Sequence, residues 1–188
     1  MKSDVERWLE QYGEEFLRKI GIRRGNVVLD FGCGSGNYTI PAARIVGEEG
    51  TVYALDKNKE VLDTLMRRAK SEGLNNIRRI NTGGKVKIKL DDESVDVVLL
   101  YDIFWYFPLS DPRLTRLLTE VYRVSRREAL ISVLPKHVDL EQLKNRIKHV
   151  GFQLKSEYSE IIIHDGILER GRVLNFVKRN KDATPPVG

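Results

Sequence analysis

A glycine-rich turn between a short apolar run and a helical pattern is the feature that most constrains the fold. Val27-Val28-Leu29 is typical of a buried strand, and it continues through Asp30 into the sequence Gly32-Cys33-Gly34-Ser35-Gly36. Glycine permits a tight turn and lets a ligand approach the backbone closely. The first N–H groups of the following helix are unpaired and carry positive potential. This pattern predicts a ligand site at the end of the first strand.

Apolar runs and helical patterns alternate five times along the chain before two final strands. The strands are predicted at 27–29, 51–55, 77–80, 95–101, 129–134, 152–163 and 172–177, with 164–171 joining the last two. Short apolar strands that alternate with helices indicate a mostly parallel sheet covered on both faces. We therefore predict an α/β fold: a Rossmann-like, doubly wound, mostly parallel seven-stranded sheet with helices on both faces and the last strand antiparallel.

One domain is expected, because 188 residues suit a single domain and no Gly/Ser/Pro-rich linker divides the chain. We assign residues 1–178 to this domain and residues 179–188 to a flexible tail. An N-terminal helix is predicted over residues 1–21, where Ser3 and Glu6 have the spacing of a capping box.

Composition excludes several classes of protein. The single cysteine, Cys33, rules out an internal disulfide and an all-cysteine zinc site, and we expect no bound metal and a reducing, cytoplasmic location. The longest apolar stretch, Val95 to Leu109, is interrupted by Asp96 and Asp102 and is too short for a membrane span. The chain has a net charge of +5, and its basic residues are scattered along the sequence. Scattered charges are typical of solvated faces, but the positive balance permits an RNA partner.

The spacing of acidic residues around the glycine turn favours one ligand over another. Asp56 ends the second strand 20 positions after Gly36, where a carboxylate can bind a ribose diol. A dinucleotide fingerprint needs its third glycine at position 37, which is Asn37. Asp30 would repel a pyrophosphate and attract an ammonium group. S-adenosylmethionine has such an ammonium and no phosphate, so the spacing favours it over NAD.

Three segments carry a resemblance to a known family. Residues 27–36 resemble the first motif of class I S-adenosylmethionine-dependent methyltransferases, and Val52-Tyr53-Ala54-Leu55-Asp56 resembles the second. Residues 90–98 are similar to the approach to the fourth strand of that family, and the whole resemblance covers about residues 20–178. It identifies the chain as a small, single-domain member of this family.

The resemblance implies a role for individual residues. Asp30 and the glycine loop would hold the amino-acid end of S-adenosylmethionine, Asp56 would bind the ribose hydroxyls, and Lys57 would flank them. In many relatives an acidic residue after the third strand meets the adenine amine, but here that place falls near Gly84-Lys85. Backbone groups, Asn81 or Thr82 would then hold adenine. The expected cofactor-binding residues are Asp30, Gly32, Cys33, Gly34, Gly36, Asp56, Lys57, Gly84 and Tyr101.

The acceptor side is less marked in the sequence. Asp102, His137 and His164 follow predicted strands, and we expect each to be an ordinary surface or loop residue, with a general base as the alternative. The segment Ile103–Phe107 is either an aromatic substrate wall or packing under the next helix. Cys33 is expected to be a small buried residue rather than a nucleophile.

We therefore predict a methyltransferase that transfers the methyl group by in-line displacement to a small-molecule acceptor. The chain has no inserted substrate domain for a large partner, which favours the small acceptor. An RNA or protein methyltransferase is one alternative. A non-catalytic cofactor-binding or scaffold module is another, against which the intact Asp30, Gly34 and Asp56 argue.

Overall fold

The computed structural model describes residues 1–179 and arranges them around one seven-stranded sheet. The strands are β1 (Val27–Phe31), β2 (Thr51–Asp56), β3 (Ile77–Asn81), β4 (Val95–Leu100), β5 (Ser125–Val133), β6 (Phe152–His164) and β7 (Ile167–Lys178). Their order in the sheet is β3-β2-β1-β4-β5-β7-β6. The pairs among β1 to β5 are parallel, whereas β7 is antiparallel to both β5 and β6.

Helices cover both faces of this sheet. They are α1 (Asp4–Arg7), α2 (Gly13–Ile20), α3 (Thr39–Val46), α4 (Lys59–Ser71), α5 (Pro112–Val124) and α6 (Leu140–Val150), and the π-helical turn Trp8–Tyr12 joins α1 to α2. Neighbouring β1 residues point to opposite faces: Val28 packs with residues of α2, α3 and α4, and Leu29 with residues of α5 and α6. The predicted fold class is confirmed.

The last hairpin differs from its prediction. β7 begins at Ile167 rather than at Arg172, so only Asp165 and Gly166 separate β6 from β7. Both turn residues have positive φ, 49° and 78°, as a type I′ hairpin turn requires. The Asp-Gly dipeptide is the sequence signal for such a turn, and it allows pairing from His164↔Ile167 onwards.

The N-terminal helical segment is packed against the domain. The capping box is present, with Glu6 N donating to Ser3 Oγ at 3.2 Å and Ser3 N donating to Glu6 Oε2 at 2.7 Å. Trp8 is completely buried beside the Tyr38 ring, and its Nε1 donates to the carbonyl oxygen of Asn37 at 2.7 Å. This segment therefore packs against the residues that precede α3 and fixes their position.

Within residues 1–179, no helix combines the length and the apolar character needed to cross a membrane. The predicted tail over residues 179–188 lies, apart from Arg179, outside the described residues.

The two tryptophans, one buried in the N-terminal segment and one exposed after β4, test whether the buried Trp8 side chain stabilises the fold. We expect Trp8→Ala to lower the free energy of unfolding by about 3–5 kcal/mol, because the side chain is fully buried. Trp105→Ala is the matched control: that side chain is 72% exposed, so a change within about 0.5 kcal/mol is expected. Denaturant unfolding followed by circular dichroism measures both, and equal losses would contradict the assignment.

Two glycines of the loop make a second stability test. A Cβ on Gly36 would lie 2.3 Å from Leu65 Cδ1, whereas one on Gly34 would meet no atom within 4 Å. Gly36→Ala should therefore lower the free energy of unfolding by about 3 kcal/mol, because the new methyl group overpacks against Leu65 and strains the backbone.

Gly34→Ala is the matched control, since its φ is 51° and only strain of about 1 kcal/mol is expected. Thermal unfolding of the two variants gives the comparison. A larger loss of stability for Gly34→Ala than for Gly36→Ala would contradict the packing of Gly36 against Leu65.

Candidate active site

The carboxyl ends of parallel strands open into one cleft of about 660 Å³. Because β1, β2 and β4 run in the same direction, the residues that end these strands meet at one edge of the sheet. All of the predicted cofactor-binding residues except Gly36 line this cleft: Asp30, Gly32, Cys33, Gly34, Asp56, Lys57, Gly84 and Tyr101. These residues therefore lie together in one cleft, and their contacts with a cofactor stay a prediction.

Gly36, the remaining residue of the predicted set, is not among the residues that line the cleft, and its contact with a cofactor stays a prediction. Its Cα faces α4, where Leu65 leaves no room for a side chain. Its φ of 89° lets the backbone turn into α3. This glycine permits close packing between the loop and a helix, which glycine spacing alone does not distinguish from ligand contact.

The Asp56 carboxylate ties the glycine loop to the end of β2. Its Oδ2 accepts from the Gly34 backbone N–H at 3.0 Å, and its Oδ1 accepts from Asn58 N at 2.8 Å. Each carboxylate oxygen can accept more than one hydrogen bond, so the group retains capacity for a ligand hydroxyl. Asp56 thus connects the glycine loop to β2 by hydrogen bonds and also lines the cleft.

Asp30 is a buried carboxyl group without a cationic partner in residues 1–179. It is 3% exposed, and its Oδ2 accepts a hydrogen bond from Thr39 Oγ1 at 2.6 Å. Burial raises the pKa of Asp30 to about 7, and the negative charges of Asp56 and Asp102 add to the effect. A cation bound in the cleft would relieve the cost of this buried charge.

Other lining residues set the walls of the cleft. Tyr101 is buried, and its hydroxyl donates to Ser132 Oγ at 2.6 Å. Cys33 is 8% exposed, and burial raises the pKa of its thiol, which suits a packing residue rather than a nucleophile. These two residues shape the floor rather than offer reactive groups.

The loop after β3 presents no carboxylate to the cleft. Thr82, Gly84 and Lys85 line it, and Asn81 does not. The Asn81 side chain is occupied instead, donating to the Lys57 carbonyl at 3.2 Å and accepting from Gly83 N at 3.0 Å. Of the two side chains considered for adenine, Thr82 alone is placed in the cleft.

S-adenosylmethionine fits the cleft by the chemistry of these groups. The buried Asp30 carboxyl, which has no cationic side-chain partner within residues 1–179, suits an ammonium group, and the open space at Gly34 admits a ligand against the loop backbone. Asp56 supplies the acceptor for a diol at the neighbouring strand end.

A second pocket of about 400 Å³ adjoins the first and shares three of its lining residues: Asp102, Tyr106 and Asp165. The three residues considered separately as bases meet here in one hydrogen-bonded chain. Asp102 Oδ1 lies 2.6 Å from His164 Nδ1, and His164 Nε2 lies 3.3 Å from His137 Nε2. The sequence did not predict that these residues contact one another; the β6–β7 hairpin brings His164 to the end of β4.

The aromatic segment after β4 divides between the two roles proposed for it. Ile103 and Phe104 are buried and pack with residues of α5, whereas Trp105 and Tyr106 are 72% and 57% exposed. Trp105 lies 5.7 Å from the His137 ring, and Lys57 Nζ lies 4.4 Å from the centre of the Tyr106 ring. Tyr106 therefore borders both pockets, whereas Trp105 borders the second.

Sequence reasoning did not name the residues that the N-terminal segment, the start of α3 and the last hairpin contribute to the cleft. Val5, Tyr38, Ile163, Asp165 and Gly166 line it as well. The Tyr38 hydroxyl donates to the Ile163 carbonyl at 2.8 Å and so links the start of α3 to β6. Only the Asp-Gly turn had a signal in the sequence, because the other contacts join residues far apart in the chain.

Comparison with known proteins gives the family. Residues 28–128 match the family described as "Methyltransferase domain". A demethylmenaquinone methyltransferase of Lactobacillus johnsonii is 28% identical over 140 residues, which are 74% of this chain and 54% of that protein. A probable cobalt-precorrin-6B C(15)-methyltransferase (decarboxylating) of Saccharolobus solfataricus is 35% identical over 85 residues, 45% of this chain and 43% of that protein. The chain thus spans about half the length of these relatives.

Solved structures agree on the fold. A SAM dependent methyltransferase from Aquifex aeolicus superposes with a TM-score of 0.73 at 21% identity, covering 93% of each chain. One from Methanosarcina mazei has a TM-score of 0.69 at 17% identity and covers 87% of this chain and 96% of its own. With the matched family and the glycine loop at the end of β1, the chain belongs to the methyltransferase domain family, in the class I S-adenosylmethionine-dependent group that its motifs resemble.

Proposed function

We propose that this protein transfers a methyl group from S-adenosylmethionine to a small-molecule acceptor by in-line displacement. The observation that carries the proposal is the buried Asp30 carboxyl, which has no cationic side-chain partner among the described residues and faces a cleft beside an open glycine. A ligand with an ammonium group and a ribose satisfies both Asp30 and Asp56. The family membership of the chain supports the same cofactor.

Individual roles follow from the positions of the side chains. Asp30 and the loop at Gly32 and Gly34 hold the amino-acid end, and Asp56 accepts from the ribose hydroxyls with Lys57 beside it. Thr82 and Gly84 lie where the adenine edge is expected. S-adenosylmethionine supplies a methyl group already activated by a sulfonium leaving group, so positioning by the protein provides most of the catalysis.

The size and position of the second pocket support a small acceptor. It measures about 400 Å³ and is bounded by the segments after β4, β5 and β6. Residues 1–179 contain no inserted domain that could hold a large partner. The relatives are named for demethylmenaquinone and a cobalt-precorrin, which are small molecules, and this favours the same class here.

The basic residues give little support to an RNA acceptor. Many arginines lie in ion pairs, for example Arg123 with Glu120 at 2.9 Å and Arg44 with Glu72 at 2.5 Å. Such pairs reduce the free positive charge available to phosphates. The small-molecule acceptor is therefore favoured over RNA.

Calorimetric titration tests the cofactor. We expect S-adenosylmethionine and S-adenosylhomocysteine to bind and NAD not to bind. Asp56→Ala should weaken S-adenosylhomocysteine binding about 10- to 100-fold, since a charged acceptor for the ribose is lost.

The control for this titration is Asp63→Ala on α4, which removes an exposed carboxylate paired with Arg79 and should leave the affinity unchanged. Binding of NAD alone would overturn the proposal. Equal affinity of wild type and Asp56→Ala would remove the ribose assignment.

The pKa of Asp30 predicts how cofactor binding depends on pH. Because burial raises this pKa to about 7, the carboxyl becomes neutral as the pH falls below that value and no longer attracts an ammonium group. The affinity for S-adenosylhomocysteine should fall about tenfold per pH unit between about pH 7 and pH 5.5.

The isosteric control is Asp30→Asn, which should bind weakly at every pH in this range. Asp56 and Asp102 are the other acidic groups near Asp30. If Asp30→Asn shows the same pH dependence as wild type, one of these groups rather than Asp30 is responsible.

A further inference from the structure

The second pocket contains a carboxylate–imidazole pair that the cofactor site does not use. Asp102 Oδ1 is 2.6 Å from His164 Nδ1, and the side chains are 30% and 13% exposed. A carboxylate at Nδ1 holds the proton on that nitrogen and leaves the lone pair on Nε2. His164 is thereby oriented with a basic nitrogen at the pocket, where it is a lining residue.

The position of His137 marks where a proton donor can approach this nitrogen. His137 Nε2 lies 3.3 Å from His164 Nε2, so with an ionised Asp102 the His137 ring is the donor and His164 the acceptor. His137 is exposed and lies in the loop between β5 and α6. An acceptor molecule whose X–H group replaces this donor would make the same hydrogen bond.

The walls of the pocket indicate the shape of that acceptor. Trp105, Tyr106 and the His137 ring line it, and flat side chains of this kind pack against a flat, aromatic molecule. Asp102, Tyr106 and Asp165 also line the cofactor cleft, so an acceptor here lies next to the methyl donor. The neighbouring cation, Lys136, is paired with Glu169 at 2.5 Å.

We propose that His164, positioned by Asp102, is the general base that removes a proton from an aromatic hydroxyl acceptor bound in the second pocket. This inference rests on the proposed methyltransferase function. His164 Nε2 takes the proton from the acceptor O–H, and the electron pair left on oxygen forms the new bond to the methyl carbon. The electron pair of the broken carbon–sulfur bond stays on sulfur, and the imidazolium later releases its proton to water.

Two other roles for the cluster make different predictions. A metal site would need a third ligand, but the described residues contain no group of three His, Cys, Asp or Glu side chains able to hold a metal ion. A structural role, in which the pair only fastens the β6–β7 turn to the end of β4, would make its loss equally harmful to every acceptor. A base is needed only for an acceptor that arrives protonated.

The experiment compares two phenols at one weakly alkaline pH. The first is 4-methoxyphenol, which is protonated there, and the second is pentafluorophenol, which is already ionised. His164→Gln should lower kcat/KM for 4-methoxyphenol by about 10²- to 10⁴-fold. We expect less than a tenfold loss for pentafluorophenol, since that acceptor needs no base. Asp102→Asn should show the same selectivity, because an amide no longer fixes the proton on Nδ1.

The third histidine of the chain supplies the matched control. His149 is exposed near the end of α6, so His149→Gln should leave both rates unchanged. S-adenosylhomocysteine titration of every variant separates the two proposals. His164 does not line the cofactor cleft, so His164→Gln should bind within twofold of wild type. Failure of wild type to bind would overturn the proposed function itself.

Several outcomes would overturn the assignment of His164 as the general base. Equal losses for both phenols with intact cofactor binding would indicate a structural pair, and no loss would exclude His164. Activity lost on dialysis against a chelator and restored by zinc would make the histidines metal ligands. Wild type that binds the cofactor but methylates neither phenol would exclude the acceptor class. If His164→Gln does not fold, the isosteric Asp102→Asn decides by the same two rates.

Discussion

The parallel pairing of β1 with β2 on one side and β4 on the other is the constraint on which the whole site depends. Parallel strands end at the same edge of a sheet, so Asp30, Asp56 and Asp102 are brought together at the carboxyl ends of β1, β2 and β4. Three carboxyl groups near one another disfavour ionisation. The raised pKa of Asp30 has burial as its main cause and the other two charges as smaller ones. The edge is therefore prepared for a ligand that carries a positive charge.

The reversed direction of β7 gives this edge its second pocket. β5 ends at Val133, which pairs with Leu174, and the earlier part of β7 pairs only with β6. The hairpin of β6 and β7 consequently extends beyond the carboxyl end of β5. Asp165 and Gly166 of its turn line the cleft. His164, beside this turn, contacts Asp102, which lies 62 positions earlier in the chain. An antiparallel last strand thus supplies residues to a site otherwise built by parallel strands.

Backbone strain is concentrated at the same place. Five non-glycine residues in the described part of the chain have positive φ, and three of them, Asp102, His137 and Asp165, line the second pocket. Each such conformation costs about 1–2 kcal/mol for an ordinary residue, although Asp tolerates it better. The surrounding contacts must maintain this strain, which is characteristic of sites whose side chains are held in a fixed arrangement.

The sequence by itself determined the fold class, indicated the cofactor and predicted eight of the residues that line the first cleft. The glycine loop, Asp30 and Asp56 are local signals, because a strand, a turn and a helix start lie within a few residues of one another. Their spacing was enough to favour S-adenosylmethionine over NAD and to suggest the family that the comparison then confirmed. The position of Tyr101 followed from the same logic, as a residue at the end of a parallel strand.

The tertiary structure alone decided what faces the acceptor. Whether Gly36 met the ligand or Leu65 depended on the packing of α4, which no local spacing encodes. Asp102 and His137 lie in two separate loops and His164 ends β6, and only the strand order β4-β5-β7-β6 brings these three residues together. Local patterns fix local conformation, whereas contacts between distant segments depend on the direction and length of every strand between them. The start of β7 at Ile167 rather than Arg172 was therefore the detail that placed a histidine beside a carboxylate.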